Sequence, residues 1–360
     1  MQVEQSVMKR YTRGALQREE ALCCPIEYDS ELLALLPEEI IERDYGCGDP
    51  SRYVQAGDTV LDLGSGGGKI CYMSAQLVGP EGHVIGIDMN DEMLALARRH
   101  QATMAQRIGT DRVTFHKGYI QDLALDIVAL ERFLAEHPVC SQADYSALRS
   151  WEARQRSQSP LIADASVDLV ISNCVLNLVD DADKQQLAGE IFRVLKPGGR
   201  IAISDIVSNR PIPASLKQDP ELWSGCISGA FEEGEFARAF SRAGFEQLCF
   251  DRRDVQPWRV VEGIEFRAVT LTACKPPRAD AGQAGRQLMY RGPFAAIVDD
   301  QGVTWPRGTP QHASAQRAAC LLHPACGAAF IELDAAAGTG QIPVAGAGCC
   351  VSGSGNGSCC

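Results

Sequence analysis

One stretch of the sequence, residues 59–88, constrains the fold more than any other. It opens with a short group of apolar residues, Val60, Leu61 and Leu63, which ends at five small residues, 64–68, of sequence Gly-Ser-Gly-Gly-Gly. Apolar residues at helical spacing follow the glycines, so the order is strand, glycine loop and helix. A second apolar run then ends at Asp88, about 20 residues past the last glycine. The stretch predicts two parallel strands joined through a helix.

The glycine loop predicts a nucleoside site. Glycines at such a turn let the backbone approach a ligand closely and expose N–H groups at a helix N-terminus. A carboxylate after the second strand can accept both ribose hydroxyls. Asp62 precedes the loop and gives D-x-G-x-G-x-G through Gly64, Gly66 and Gly68. This spacing differs from the G-x-G-x-x-G dinucleotide fingerprint, and the loop lacks the Gly-Lys-Ser/Thr of a P-loop.

The D-x-G-x-G-x-G pattern resembles motif I of the class I S-adenosylmethionine methyltransferases, and Leu-Lys-Pro-Gly-Gly at 195–199 also recurs in that family. The resemblance implies a Rossmann-like α/β fold with a mostly parallel, doubly wound sheet, and S-adenosylmethionine as cofactor. The alternation of predicted strands and helices along the chain agrees with this fold. The expected cofactor contacts are Asp62, Gly64, Ser65, Gly66, Gly68, Asp88, Met89, Gln121, Asp122 and Asn173.

Composition narrows the classes of partner. The 360 residues carry a net charge of -12, from 46 acidic against 34 basic residues, and no Lys/Arg block tracks a phosphate backbone. A nucleic-acid partner is therefore not expected. No apolar run approaches the roughly 18 residues of a membrane span, and the first residues do not resemble a signal peptide. We expect a soluble cytoplasmic protein with no membrane partner, whose 15 cysteines are mostly reduced.

Changes in composition predict the domain layout. An amphipathic segment lies at 30–43, residues 127–136 form a helix within a long insertion, and the last residues are too poor in apolar side chains to build a core. The predicted parts are an N-terminal cap segment with thiols (1–50), the cofactor-binding domain (51–275, with an insertion at 124–165), a small accessory region (276–345) and a flexible Gly/Ser/Cys tail (346–360).

Three cysteines lie in turns rather than in apolar runs. Cys47 precedes the first strand, Cys174 lies at the tip of the fourth and Cys226 follows the fifth. Flanking glycines or polar residues are expected to leave these thiols little cover. Such positions can converge at the mouth of a crevice beyond the carboxyl ends of the strands. Three thiolates there would form a soft pyramidal site, suited to trivalent arsenic or to zinc.

A single cysteine is more often part of the core than a ligand. We therefore expect Cys71, Cys140, Cys249 and Cys274 to be packing residues. Cys320 and Cys326 miss the usual zinc-ribbon spacing, so they too are expected to be structural.

The cysteine-bearing segments resemble those of the arsenite methyltransferases over most of residues 20–275. The segments that carry the resemblance are Tyr45-Gly46-Cys47-Gly48, Val60-Leu61-Asp62-Leu63-Gly64-Ser65-Gly66, Gly86-Ile87-Asp88-Met89, Ser172-Asn173-Cys174-Val175-Leu176-Asn177-Leu178 and Gly225-Cys226-Ile227-Ser228-Gly229-Ala230. The family's three arsenic-binding cysteines match Cys47, Cys174 and Cys226. A further N-terminal thiol of the family falls at Cys23 or Cys24. The Asp-Pro-Ser sequence after Cys47 resembles that of a bacterial branch of the family, which is linked to arsenosugar formation.

The resemblance implies methylation of arsenite, or of its thiol conjugates, by S-adenosylmethionine, with glutathione or a thioredoxin-type protein as the thiol reductant. The vicinal cysteine pairs at 349–350 and 359–360 either capture arsenite or are dispensable. Two other functions remain open from the sequence. One is methylation of a small organic acceptor, and the other is metalloid binding without catalysis.

Overall fold

The computed structural model describes residues 2–17, 26–277, 286–299, 302–322 and 329–333. Contacts divide the chain into two units, Met1–Ala279 and Asp280–Cys360. Cys23, Cys24, Cys326 and the tail from 346 lie outside the described residues. No helix within the described ranges combines the length and the apolar character that crossing a bilayer requires.

The first unit is built on one nine-stranded sheet. Its strands are β1 (Thr59–Leu63), β2 (His83–Asp88), β3 (Val113–Lys117), β4 (Val167–Asn173), β5 (Leu195–Ser208), β6 (Phe231–Glu232), β7 (Glu246–Arg253), β8 (Arg259–Val261) and β9 (Ile264–Cys274). Its helices are α1 (Gln2–Leu16), α2 (Ser30–Ala34), α3 (Glu38–Glu42), α4 (Lys69–Leu77), α5 (Asp91–Ile108), α6 (Ile127–Glu136), α7 (Gln142–Gln158), α8 (Lys184–Val194), α9 (Ala214–Lys217), α10 (Pro220–Ser224) and α11 (Glu233–Arg242).

The main strand order is β3-β2-β1-β4-β5-β9-β7, with β6 paired to β5 and β8 to β9. Strands β1 to β5 pair in parallel, whereas β9 runs antiparallel to β5 and to β7. The order reverses between β1 and β4, which places a crevice beyond their carboxyl ends. This topology confirms the predicted α/β fold with a mostly parallel, doubly wound sheet.

Strand β1 lies at the centre of the sheet and is buried on both faces. Leu61 and Leu63 belong to the apolar cluster that α8 and α11 cover, whereas Val60 belongs to the cluster that α4 and α5 cover. Side chains that alternate between two packed faces explain why apolar residues occur at both odd and even positions of this strand. Helices on both faces therefore fix the end of β1 and the glycine loop that follows it.

The structure differs from the sequence analysis in three helical segments. Helix α1 forms where the sequence looked only polar. The amphipathic segment 30–43 forms two short helices, α2 and α3, because Pro37 stands between them at the start of α3. Helix α7 was also missed, since it has no buried residue and hence no apolar stripe. Ser141 caps α7, and Trp151 stacks on Phe133 of α6.

The second unit contains β10 (Arg286–Tyr290), β11 (Ala296–Val298), β12 (Thr304–Pro306), β13 (Pro310–Ala313), α12 (Ala315–Leu321) and β14 (Phe330–Leu333). Strand β10 pairs antiparallel with β13 and β14, and β11 pairs with β12. Leu288, Tyr290, Trp305 and Phe330 form its small core. Cys320 is buried, which fits the structural role expected for it.

We predict that Gly64→Ala destabilises the protein far more than Gly57→Ala. Both glycines have positive φ, 69° and 90°, so either alanine costs about 1 kcal/mol in backbone strain. A Cβ at Gly64 would also stand 2.4 Å from Cγ1 of Val175, whereas Gly57 has no neighbour within 4 Å. The clash raises the cost to about 3 kcal/mol. Urea unfolding of both variants checks this, and equal losses would contradict it.

Candidate functional site

A cavity lies beyond the carboxyl ends of β1, β2 and β4. The glycine loop, the start of α5, residues 118–121 and the chain after β4 line it. Eight of the ten predicted cofactor contacts lie on its wall, namely Asp62, Gly64, Ser65, Gly66, Asp88, Met89, Gln121 and Asn173. Gly68 instead caps the start of α4. The side chain of Asp122 forms an ion pair with Arg156 of α7 at 2.8 Å, and it is not on the cavity wall.

The two carboxylates at the strand ends are held in fixed orientations. Asp88 accepts hydrogen bonds from the backbone N–H groups of Gly66, at 2.9 Å, and Asn90, at 2.8 Å. Each of its oxygens keeps a second lone pair for a ligand hydroxyl. Asp62 accepts a hydrogen bond from the Cys71 thiol at 3.2 Å. Burial raises the pKa of Asp88 and raises that of Asp62 to about 7.

Two features of the glycine loop fit a polar ligand such as the expected nucleoside cofactor. The hydroxyl oxygen of Ser65 is buried, yet none of the residues that the structure describes forms a hydrogen bond with it. A ligand group would supply the missing partner, because buried polar atoms are nearly always bonded. A Cβ at Gly66 would meet only Sδ of Met93, at 4.0 Å, so the backbone there is open to close approach.

Helix α1 contributes a wall of the cavity that sequence reasoning missed. Its side chains Val7, Met8 and Tyr11 line the cavity. The helix is held in place because Tyr45 donates to the carbonyl of Gly14 at 3.0 Å and Arg10 donates to the carbonyl of Glu221 at 3.0 Å. The sequence signal is an apolar stripe at four-residue spacing, Val3, Val7, Tyr11 and Ala15, within an otherwise polar segment.

The structure brings the three turn cysteines together. Cys47, Cys174 and Cys226 belong to one cluster of buried residues, and Cys174 makes side-chain hydrogen bonds with both of the others. Cys226 also donates from its thiol to the carbonyl of Cys174 at 3.2 Å. Cys174 itself lines the cavity. The three thiols therefore lie beside the predicted cofactor site.

The expectation that these thiols have little cover is wrong. Cys47, Cys174 and Cys226 are only 1%, 8% and 4% exposed. Apolar residues from β5, β9 and the segment before α11 close over the turns, so local sequence gave no sign of burial. The pKa of each of Cys174 and Cys226 is well above that of a free thiol. For Cys226, the hydrogen bond to Cys174 and burial are the causes. For Cys174, its bond with Cys226 acts to lower the pKa, but its bond with Cys47 and burial outweigh it.

Two asparagines on either side of Cys174 hold the other two cysteine segments. Asn173 accepts at Oδ1 from the N–H groups of Cys47, at 2.8 Å, and Gly48, at 3.0 Å. Its Nδ2 donates to the carbonyl of Gly48 at 2.8 Å. A Cβ at Gly46 would stand 2.2 Å from that Nδ2, which explains the glycine there.

Asn177 holds the Cys226 segment from the other side. Its Nδ2 donates to the carbonyls of Ile206, at 2.7 Å, and of Cys226, at 3.5 Å. Cys174 and Cys226 both adopt left-handed backbone conformations, with φ of 64° and 59°. Residues other than glycine pay about 1–2 kcal/mol for this conformation, which persists only where surrounding contacts impose it.

The remaining cysteines divide into two groups. Cys71 and Cys274 are buried, as expected of packing residues, but Cys140 and Cys249 are exposed. The packing role is therefore wrong for the latter two. Cys140 lies in the loop between α6 and α7, and Cys249 lies on β7, which is at the edge of the sheet.

Comparisons with known proteins agree with this geometry. A family described as a methyltransferase domain matches residues 55–143 and 150–244, and a domain of unknown function matches 277–352. An arsenite methyltransferase of Aquipseudomonas alcaligenes is 34% identical over 72% of this chain and 67% of its own length. That of Halobacterium salinarum is 34% identical over 70% of the chain, which spans only 56% of that relative. The crystal structure of an arsenic(III) S-adenosylmethionine methyltransferase from Chlamydomonas reinhardtii has a TM-score of 0.57 and 27% identity, covering 86% of this chain and 96% of that one.

We predict that Asn173→Ala speeds alkylation of Cys47 but not of Cys226, because only the Cys47 segment loses its hydrogen bonds. Asn177→Ala is the matched variant and should do the reverse. Mass spectrometry of peptides after timed alkylation measures both rates, with an expected increase of at least about tenfold for the released thiol. Equal acceleration of both thiols in both variants would show that the asparagines do not act separately.

We predict that Asp62 makes the stability of the fold depend on pH. Its pKa rises from 3.8 to about 7 on folding, because burial disfavours the charged form. Its stabilising contribution is present below pH about 4 and is lost as the pH rises through about 7. The free energy of unfolding of the wild type, relative to Asp62→Asn, should fall across this window by at most about 1.4 kcal/mol per pH unit. Urea titrations at several pH values measure it, and parallel curves would refute it.

Proposed function

Since the chain belongs to the arsenite methyltransferase family, we propose that it methylates trivalent arsenic held by Cys47, Cys174 and Cys226, with S-adenosylmethionine as the methyl donor. One observation carries this proposal. Three thiols from distant segments meet in one buried cluster, and the central one, Cys174, also lines the cavity at the glycine loop. The site thus combines a soft triple-sulfur ligand set with a nucleoside cavity.

Loading of arsenite needs no separate base. The raised pKa values of Cys174 and Cys226 mean that these thiols carry their protons at neutral pH. Arsenite is As(OH)₃, so each As–S bond forms as one As–O bond breaks. The thiol proton leaves with the hydroxide as water, and three thiols release three waters. The exchange is balanced in protons, which suits a buried site that disfavours net charge.

The cavity residues supply positioning. Asp88 and the backbone of Gly66 would hold the nucleoside part, and Ser65 offers a free polar atom beside them. When bound, S-adenosylmethionine supplies an electrophilic methyl group on its sulfonium. Cys174 sets the arsenic at the border of the cavity, where its lone pair can face that methyl. Alignment of the two reacting atoms is the main requirement of such a transfer.

A thiol reductant completes the cycle. Methylation oxidises arsenic from the trivalent to the pentavalent state, and two thiols return it to the trivalent state by forming a disulfide. An external dithiol or glutathione must then reduce that disulfide, and Cys23 or Cys24 is proposed to take part in the exchange. Because the reaction begins on reduced thiols, the proposal also favours the reducing environment of the cytoplasm.

We predict that Cys174→Ser and Cys226→Ser each lower methylation of arsenite by at least about 100-fold. The purified protein is incubated with arsenite, S-adenosylmethionine and a thiol reductant, and methylated arsenic species are separated. Cys249→Ser is the matched control, since this thiol is exposed and does not belong to the buried cluster. Binding of S-adenosylmethionine should persist in all three variants.

Two outcomes would contradict the proposal. Full activity in Cys174→Ser or Cys226→Ser would reject the cysteine assignment. If the wild type binds S-adenosylmethionine yet forms no methylated arsenic, arsenic is not the acceptor, and methylation of a small organic acceptor becomes the function to test.

A further inference from the structure

A buried carboxylate lies beside two of the three thiols. One oxygen of Asp205, Sγ of Cys47 and Sγ of Cys174 all lie within 4.8 Å of one another. Asp205 is on β5, whose neighbour Ser204 pairs in register with Asn173 of β4, so the sheet itself brings the carboxylate to Cys174. Asp205 has no exposed surface.

No cation neutralises this carboxylate among the described residues of the first unit. Asp205 accepts hydrogen bonds from the backbone N–H groups of Ile206, at 2.8 Å, and Asn177, at 3.3 Å. Lys184 acts on it only at a distance, because its ammonium group bonds to Asp181 and to the carbonyl of Gly229. A buried carboxyl group is normally paired with a cation, coordinates a metal or keeps a proton, and burial raises the pKa of Asp205 to about 7. Asp205 is buried but has no paired cation in this part of the chain, which points to coordination of a metal.

The donor set differs from the one proposed for arsenic. Arsenic(III) takes three sulfur atoms, whereas zinc accepts sulfur and carboxylate oxygen together in tetrahedral sites. We propose that Cys47, Cys174 and Asp205 bind a divalent zinc ion, and that this ion excludes arsenite from the site. The exclusion rests on the proposed function, because it requires arsenic to use the same two thiols.

Binding is balanced in charge and protons. Zinc replaces the protons of the two thiols and, where it is protonated, that of the Asp205 carboxyl group; these protons leave to solvent, and the ion bonds to two thiolates and one carboxylate. The resulting group carries a net charge of -1, with a water molecule in the fourth position. Asp205 needs no rearrangement, since its backbone hydrogen bonds already orient it. Zinc binding should therefore weaken as the pH falls, as it does wherever a thiol must lose its proton.

Because zinc and arsenite share two thiols, zinc should inhibit competitively with arsenite. Zinc should raise the apparent KM for arsenite without changing that for S-adenosylmethionine. Loss of Cys226 should affect the binding of arsenite and not that of zinc, because only arsenic needs this thiol. Loss of Asp205 should affect the binding of zinc and not that of arsenite, because only zinc needs this carboxylate. The two residues therefore provide matched variants for one experiment.

The test uses the metal-free full chain with a phosphine reductant, which binds zinc less than thiols do. Zinc affinity is measured by competition with a chromophoric chelator, and arsenite affinity by the ultraviolet absorbance of arsenic–thiolate bonds. Asp205→Asn should weaken zinc at least tenfold more than it weakens arsenite. Cys226→Ser should weaken arsenite at least tenfold more than it weakens zinc. The opposite ratios, or equal losses for both ligands, would overturn the zinc site.

A measurement on the wild type covers the case in which Asp205→Asn does not fold. Cobalt(II) replaces zinc, and its sulfur-to-cobalt absorption bands count the thiolate ligands. Two thiolates support the proposed donor set, whereas three or none reject it. Failure of arsenite to bind the wild type, with zinc still bound through two thiolates, would refute the arsenic function and leave the zinc site intact.

Discussion

The thiol cluster depends on the hydrogen bonds of two asparagines at the end of β4. Asn173 binds the backbone of the Cys47 segment, and Asn177 binds the carbonyls of Ile206 and Cys226. Cys174 lies between the two asparagines in the sequence, so a single five-residue segment gathers chain from both ends of the domain. Each bond is buried, which makes its loss costlier than at a surface. The end of β4 therefore holds the cluster together, and the three cysteine segments do not adopt their positions independently.

Burial gives the cluster its chemistry. The thiols lie among apolar residues, Cys174 and Cys226 keep their protons, and the same two have strained left-handed backbones. A buried, neutral set of thiols is suited to an uncharged reactant that loses hydroxide as it binds, since no net charge enters the low-dielectric interior. Burial raises the pKa of the adjacent Asp205 to about 7, and its carboxylate form would give a divalent cation one negative charge. The same pocket thus offers arsenic and zinc different third ligands.

Much of the fold follows from local patterns. The first two strands, the glycine loop between them and the helix from Ile127 to Glu136 were predicted from periodicity and composition. The meeting of the three cysteines was also predicted, from strand order and family resemblance. The burial of the thiols and the approach of Asp205 were not, because both depend on contacts between segments far apart in sequence. Helix α1 was missed although Val3, Val7, Tyr11 and Ala15 recur at helical spacing. Helix α7 escaped because a helix exposed on every side has no apolar stripe.

The central claim is that one arsenic atom is bound by three sulfur atoms of this chain. X-ray absorption at the arsenic edge, on the wild type incubated with one equivalent of arsenite, counts those neighbours directly. The account predicts three sulfur neighbours and no oxygen, falling to two sulfurs in Cys226→Ser. A wild-type spectrum with only two sulfurs and an oxygen, or one that Cys226→Ser leaves unchanged, would contradict it.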